Sequence, residues 1–166
     1  SRTPYFAHIG AKYGVREAFI LFVSSLWPYK NCAGLLRAYA AARSQLDGRR
    51  LVIVGPARDV EHADELRALA AELGIADGVD WVGGVSLEET VQFYRAADTF
   101  VYPSLNETFG LPILEAMATA CPVVTSSVSA MPETAGGAAL LADPTDQEAL
   151  AVAIVQACGP ENARLR

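Results

Sequence analysis

Residues 99–125 read TFVYPSLNETFGLPILEAMATACPVVT. Thr99 to Tyr102 is a run of β-branched and aromatic residues closed by Pro103, too short for a helix, and it reads as a buried strand. A polar loop follows, and Pro112 then stands in a first helical turn, where its missing amide leaves nothing unpaired. The helix runs to about Thr119. Val123 to Thr125 is the next apolar run, so the stretch forms one strand, helix, strand unit with its two strands parallel.

The same grammar extends in both directions. Upstream, Phe19 to Ser24 is a first strand, the loop Ser25 to Lys30 holds Pro28, and Leu35, Leu36, Tyr39 and Leu46 recur at helical spacing until Asp47 and Gly48. Leu51 to Val54 is a second strand closed by Gly55 and Pro56. Leu66, Leu69, Ala70 and Leu73 form the stripe of a helix that starts near Glu61, and Gly74 stands where a left-handed C-cap is expected. Asp80 to Val82 is a third strand, and Ser86 with Glu89 forms a capping box ahead of Val91, Tyr94 and Ala97. Downstream, Ala138 to Leu141 is a last strand, and Thr145 with Glu148 reads as a second capping box for a helix ending near Cys158 and Gly159. Six strands alternating with helices predict an α/β fold: a Rossmann-like, doubly wound parallel sheet with helices on both faces. Ligands are then expected beyond the carboxyl ends of the strands.

Composition narrows the function classes. The chain has 166 residues, 52% hydrophobic and 19% charged, which excludes disorder and suffices for one domain. Its 13 basic against 19 acidic residues give a net charge of −6, which disfavours nonspecific binding to a phosphate backbone. Cys32, Cys121 and Cys158 contain no CxxC pair, and His8 and His62 lack ligand-spaced partners, so neither a disulfide framework nor a metal site is expected. The longest apolar run is far too short to span a bilayer, and a reduced, cytoplasmic setting is the expectation.

Three loops that follow strands carry unusual content: Ser24 to Asn31, Gly55 to Asp59, and Pro103 to Leu111. In the third, Gly110 permits close backbone approach, and the free amides of the following helix turn suit an anion. Glu107 on that loop and Glu115 in the helix behind it can share one crevice, although each also reads as ordinary: a solvated loop residue and a helix-dipole partner. Lys30, one of two lysines in the chain, reads on position alone as an exposed residue at a helix start. An ammonium about 4 Å from a phosphate charge nevertheless gains on the order of 4 kcal/mol before desolvation, more than a helix terminus supplies. The fingerprints GxGxxG, GxxxxGK[ST] and GxSxG are all absent, which counts against dehydrogenase, P-loop and simple hydrolase readings.

The stretch PSLNETFGLPILEAMATACPVV, Pro103 to Val124, resembles the signature of the retaining, nucleotide-sugar-dependent glycosyltransferases of family 4, or group 1, which have the two-domain GT-B fold. The motif's paired glutamates fall on Glu107 and Glu115. The likeness continues at Lys30-Asn31, Val82-Gly83, Ala97-Asp98, Met131-Pro132-Glu133 and Asp143-Pro144. It implies the C-terminal, donor-binding half of a hexosyltransferase-type enzyme acting in polysaccharide or lipid-linked glycan synthesis. Residues 19–160 then form the nucleotide-sugar-binding domain, with 1–18 as an interdomain lead-in, 161–166 as a tail that stops short of the closing helices, and the acceptor domain elsewhere. By the same resemblance, Lys30 binds the donor diphosphate, Glu115 holds the ribose hydroxyls, Glu107 lies against the transferred sugar, and the amides of Thr108, Phe109, Gly110 and Leu111 complete the site, with Ser24, Ser25, Gly55 and Val82 as further donor-binding positions.

Catalysis would rest on Lys30 and Glu107. The donor is a UDP-, GDP- or ADP-linked sugar, no metal or other cofactor is required, the acceptor domain is the partner, and any membrane association belongs to parts outside this chain. Three departures from the family pattern stand out. Ser24-Ser25 replaces a common Gly-Arg and removes one diphosphate contact, Thr108 replaces a Gly beside the sugar, and Ala120 replaces a Gly in the turn before the Pro-Val strand. A nucleotide-binding module without transfer, a GT-B epimerase and a GT-B phosphorylase share much of this description; the phosphorylase needs a pyridoxal-phosphate lysine as well, and the epimerase acts with no sugar acceptor.

Overall fold

The computed structural model describes residues 3–16 and 18–160. Six strands alternate with helices: α1 (Thr3–Tyr13), β1 (Phe19–Val23), α2 (Cys32–Ala42), β2 (Arg50–Val54), α3 (Val60–Glu72), β3 (Val79–Gly83), α4 (Leu87–Ala96), β4 (Thr99–Tyr102), α5 (Leu111–Ala118), β5 (Val123–Ser126), α6 (Met131–Ala135), β6 (Leu140–Ala142) and α7 (Gln147–Cys158). The sheet order is β3-β2-β1-β4-β5-β6. Every neighbouring pair is parallel. The chain therefore winds outward twice from the centre, and the order reverses between β1 and β4. At such a switch point the loops after the two central strands diverge and open a crevice.

Alternation along the central strands explains why the sheet is covered on both sides. Ile20 and Phe22 of β1, with Leu51 and Ile53 of β2, pack against α2, α3 and α7. Phe19 and Leu21, with Val52 and Val54, pack against α1, α4, α5 and α6. All eight are at most 2% exposed, and full burial of one such side chain contributes about 1.5–3 kcal/mol. This is why β1 and β2 read as unbroken apolar runs.

The structure adds to the sequence reading and corrects it in places. Helix α1 lies within the N-terminal segment, with Ile9 buried in the core face that α4 also covers. The Ser86/Glu89 capping box forms as expected, and the same Glu89 carboxylate also accepts from Lys12 of α1. The second capping box does not form. Asp143 captures both the amide and the hydroxyl of Thr145, at 2.8 and 2.7 Å, so Asp146 becomes the N-cap of α7 and accepts from the Ala149 amide at 2.9 Å. Helix α2 tightens into a 3-10 turn at Arg43–Gln45 before Leu46. Strand β6 starts at Leu140, not Ala138, because Gly136 and Gly137 both adopt positive φ and prolong the turn after α6. The tail 161–166 lies outside the described residues.

Candidate functional site

The loops after β1 and β4 are stitched together at the switch point. Leu105 donates its amide to the Tyr29 carbonyl at 2.8 Å. Asn31 sits in the left-handed region (φ 60), between a 3-10 turn at Pro28–Lys30 and α2. From there its side-chain amide donates to the carbonyls of Pro103 (3.0 Å) and Pro144 (2.9 Å) while its oxygen caps the Gly34 amide (3.2 Å). One side chain thus joins the ends of β1, β4 and β6. A Cβ at Gly34 would lie 2.5 Å from the Asn31 Oδ1, which is why a small residue belongs there.

That stitching brings Lys30 onto Glu107. The Lys30 Nζ donates to Glu107 Oε1 at 2.5 Å and to the Tyr102 hydroxyl at 2.7 Å. Tyr102 donates to the same Oε1 at 2.6 Å, and Ser104 Oγ does so at 2.9 Å. Both charged side chains are only 13% exposed, so neither is the solvated surface residue that its position alone suggests. Burial pushes the Glu107 carboxyl up, but the hydrogen bonds from Lys30, Tyr102 and Ser104 outweigh it and hold the group below its ordinary range. Burial first, then the neighbouring Glu107, drive the Tyr102 phenol far upward, so it stays protonated and a donor. The Lys30 ammonium also lies 4.9 Å from the centre of the Tyr29 ring.

Glu115 lies farther along α5, where it accepts from the Tyr94 hydroxyl at 3.1 Å. The rings of Tyr94 and Phe100 meet edge to face at 5.1 Å, and Phe100 stacks on Tyr102 at 5.8 Å. A buried aromatic column thus runs from one motif glutamate to the other. Sequence reading takes Tyr94 as a helix-face position and Tyr102 as strand; only their packing reveals that each donates to a glutamate.

The remaining expected residues fall around this centre. Gly110, at φ 83, begins α5 without any side-chain cap. Thr108 and Phe109 are exposed and, with Leu114, Ala130, Glu133 and Thr134, line a cavity of about 380 Å³. Ser24, Ser25 and Gly55 line a second cavity of about 170 Å³ with Gly84 and Val85. Val82 is not among its lining residues; the loop just after it is. A Cβ at Gly55 (φ 148) would meet the Ser24 carbonyl oxygen at 1.8 Å, so this close crossing of two loops demands glycine. Ser129 has no counterpart in the sequence reading. Its Oγ accepts the Glu107 amide at 3.1 Å and lies within 2.9 Å of Asn106 Oδ1, pinning the loop from the β5 side. Among the described residues, no three His, Cys, Asp or Glu side chains are grouped to hold a metal ion, and no helix is long and apolar enough to cross a membrane.

The glycosyl transferases group 1 family model matches residues 11–165. The chain belongs to this family. Among group 1 relatives, the O-antigen chain mannosyltransferase B of Escherichia coli is 38% identical over 149 residues, which cover 89% of this chain and 39% of that protein. The D-inositol 3-phosphate glycosyltransferase of Mycobacterium sp. (strain KMS) is 42% identical over 118 residues, 70% of this chain and 26% of that one. Among solved structures, Anabaena HepE in complex with UDP and glucose superposes with a TM-score of 0.84 at 25% identity, covering 98% of this chain and 44% of that chain. The group 1 chain described by this sequence therefore spans less than half the length of these relatives.

Proposed function

We propose that this chain is the donor-binding half of a retaining glycosyltransferase, which takes a sugar from a nucleotide-diphospho-sugar and passes it to a glycan, lipid or other acceptor held by a second domain. The observation that carries the reading is the convergence of Lys30 and Glu107 at the switch point, beside the uncapped start of α5. Anabaena HepE, crystallised with UDP and glucose, supports a nucleotide-sugar donor.

In this reading the bond between the anomeric carbon and the diphosphate oxygen breaks, its electron pair leaves with the nucleotide, and the acceptor hydroxyl oxygen bonds to that carbon as its proton passes to the departing diphosphate. Lys30 and the first amides of α5 stabilise the charge that develops there, an electrostatic contribution largest in the transition state. Glu107 orients the sugar and faces the positive charge growing at the anomeric centre. Glu115 accepts from the ribose hydroxyls. Lys30 and the amides offset part of the diphosphate charge, and this reading assigns no metal to the reaction.

Calorimetric titration of the chain with UDP, GDP and ADP, and with their hexose esters, tests the donor reading. At least one nucleotide should bind, with the same affinity in the presence of EDTA. Binding of none would overturn the donor assignment, and loss of binding in EDTA would overturn its independence of metal.

A further inference from the structure

Glu107 turns one carboxylate oxygen toward the protein. The donors Lys30 Nζ, Tyr102 hydroxyl and Ser104 Oγ all converge on Oε1. Among the described residues none donates to Oε2. The three donors are not equivalent. Lys30 is a long, flexible side chain, and Ser104 has one proton with the carbonyls of Tyr29 (3.1 Å) and Asn106 (3.3 Å) also in reach. Tyr102 ends a central strand, its ring is fully buried against Phe100, and its carbonyl is held by Thr125 Oγ1 at 2.8 Å. Its hydroxyl is the fixed point of the cluster, accepting from Lys30 and donating to Glu107.

We infer that Tyr102 is a positioning residue that sets the orientation of Glu107 before a donor binds, leaving Oε2 of Glu107 for the sugar. The inference rests on the donor reading above. A diphosphate that engages Lys30 competes with Glu107 for the ammonium. The carboxylate then depends on Tyr102 and Ser104 to stay ionised and aimed, because a half-buried charge that loses its partners is driven toward protonation. The titratable groups facing this carboxylate are Lys30 and Tyr102, with Tyr29 beside Lys30 and Glu115 across the aromatic column.

The test is Tyr102→Phe in the 166-residue chain, which keeps the ring and removes only the hydroxyl. Calorimetry uses UDP, GDP and ADP, each alone and as its hexose ester. Affinity for the sugar ester should fall about tenfold and that for the bare nucleotide less than about threefold, since Glu107 is reserved for the sugar. Tyr94→Phe, which frees Glu115 instead, should weaken both ligands equally. In the ligand-free chain, the ¹³C resonance of the Glu107 carboxyl should titrate at higher pH in Tyr102→Phe than in the wild type. Equal losses for ester and nucleotide in Tyr102→Phe, or an unchanged Glu107 titration, would overturn the inference. If the wild-type chain binds no nucleotide, the donor reading fails, and the Glu107 titration still decides whether Tyr102 governs the carboxylate.

Discussion

Replacing Ala120 by glycine should stabilise the domain and leave nucleotide binding unchanged. Ala120 has φ 57 at the end of α5. The Cys121 amide donates to the Ala116 carbonyl at 3.0 Å and the Ala120 amide to the Met117 carbonyl at 2.9 Å, the pair of bonds of a Schellman turn. The left-handed conformation costs an L-residue about 1–2 kcal/mol. Glycine removes that cost but enlarges the entropy of the unfolded chain, which takes back about 0.4–1 kcal/mol. The Ala120 side chain is exposed, so deleting its methyl sacrifices little buried surface. Taking the middle of each range, the net gain is about 0.8 kcal/mol, a rise of roughly 2–3 °C in Tm for a domain of this size. Urea denaturation should show a higher midpoint with an unchanged slope, which assigns the effect to stability and not to compactness. An unchanged or lower midpoint would refute the reasoning, because it would mean that the turn imposes no strain on alanine.

The other expectations concern the site and its supports. Lys30→Ala should lower nucleotide affinity about tenfold to a hundredfold, the scale of one hydrogen bond to a charged group; calorimetry with full affinity retained would remove Lys30 from the diphosphate site. Gly55→Ala forces a Cβ to 1.8 Å from a backbone oxygen, which a flexible side chain cannot relieve, so thermal denaturation should report a loss of at least about 3 kcal/mol. Glu89 is held down to about 2, first by Lys12 and then by the Ser86 amide. Its folded pKa is depressed, so its contribution is fully present above the ordinary glutamate range and is lost as pH falls toward about 2. Urea midpoints should therefore fall more steeply over that acidic window in the wild type than in Lys12→Ala, and parallel curves would exclude the pairing.

Much of the fold is legible in sequence because its cues are local. All six strands announce themselves as short runs between breakers, with only the start of β6 misplaced, and Gly74 caps α3 in the left-handed region as expected. Failures came where two local signals compete. Thr145 could cap a helix or close a turn on Asp143, and the nearer carboxylate won. Helix α1 has no acidic first turn, and although Pro4 stands at its start and Gly14 (φ 69) just past its end, its burial depends on α4, far along the chain.

The candidate site divides in the same way. Lys30, Glu107, Glu115 and Gly110 could be singled out from sequence because their residue types and spacing carry chemistry, and the right-handed winding of parallel strands dictates that the loops after β1 and β4 share one end of the sheet. Sequence says nothing of distances between loops that lie more than seventy residues apart. Tertiary packing alone set Lys30 at 2.5 Å from Glu107, turned three donors onto one carboxylate oxygen, and put a buried tyrosine behind each glutamate. The physical reason is burial: once the crevice excludes water, each polar group must find its partner in the protein, and which partner it finds depends on the stacking of Tyr94, Phe100 and Tyr102, not on any neighbour in the chain.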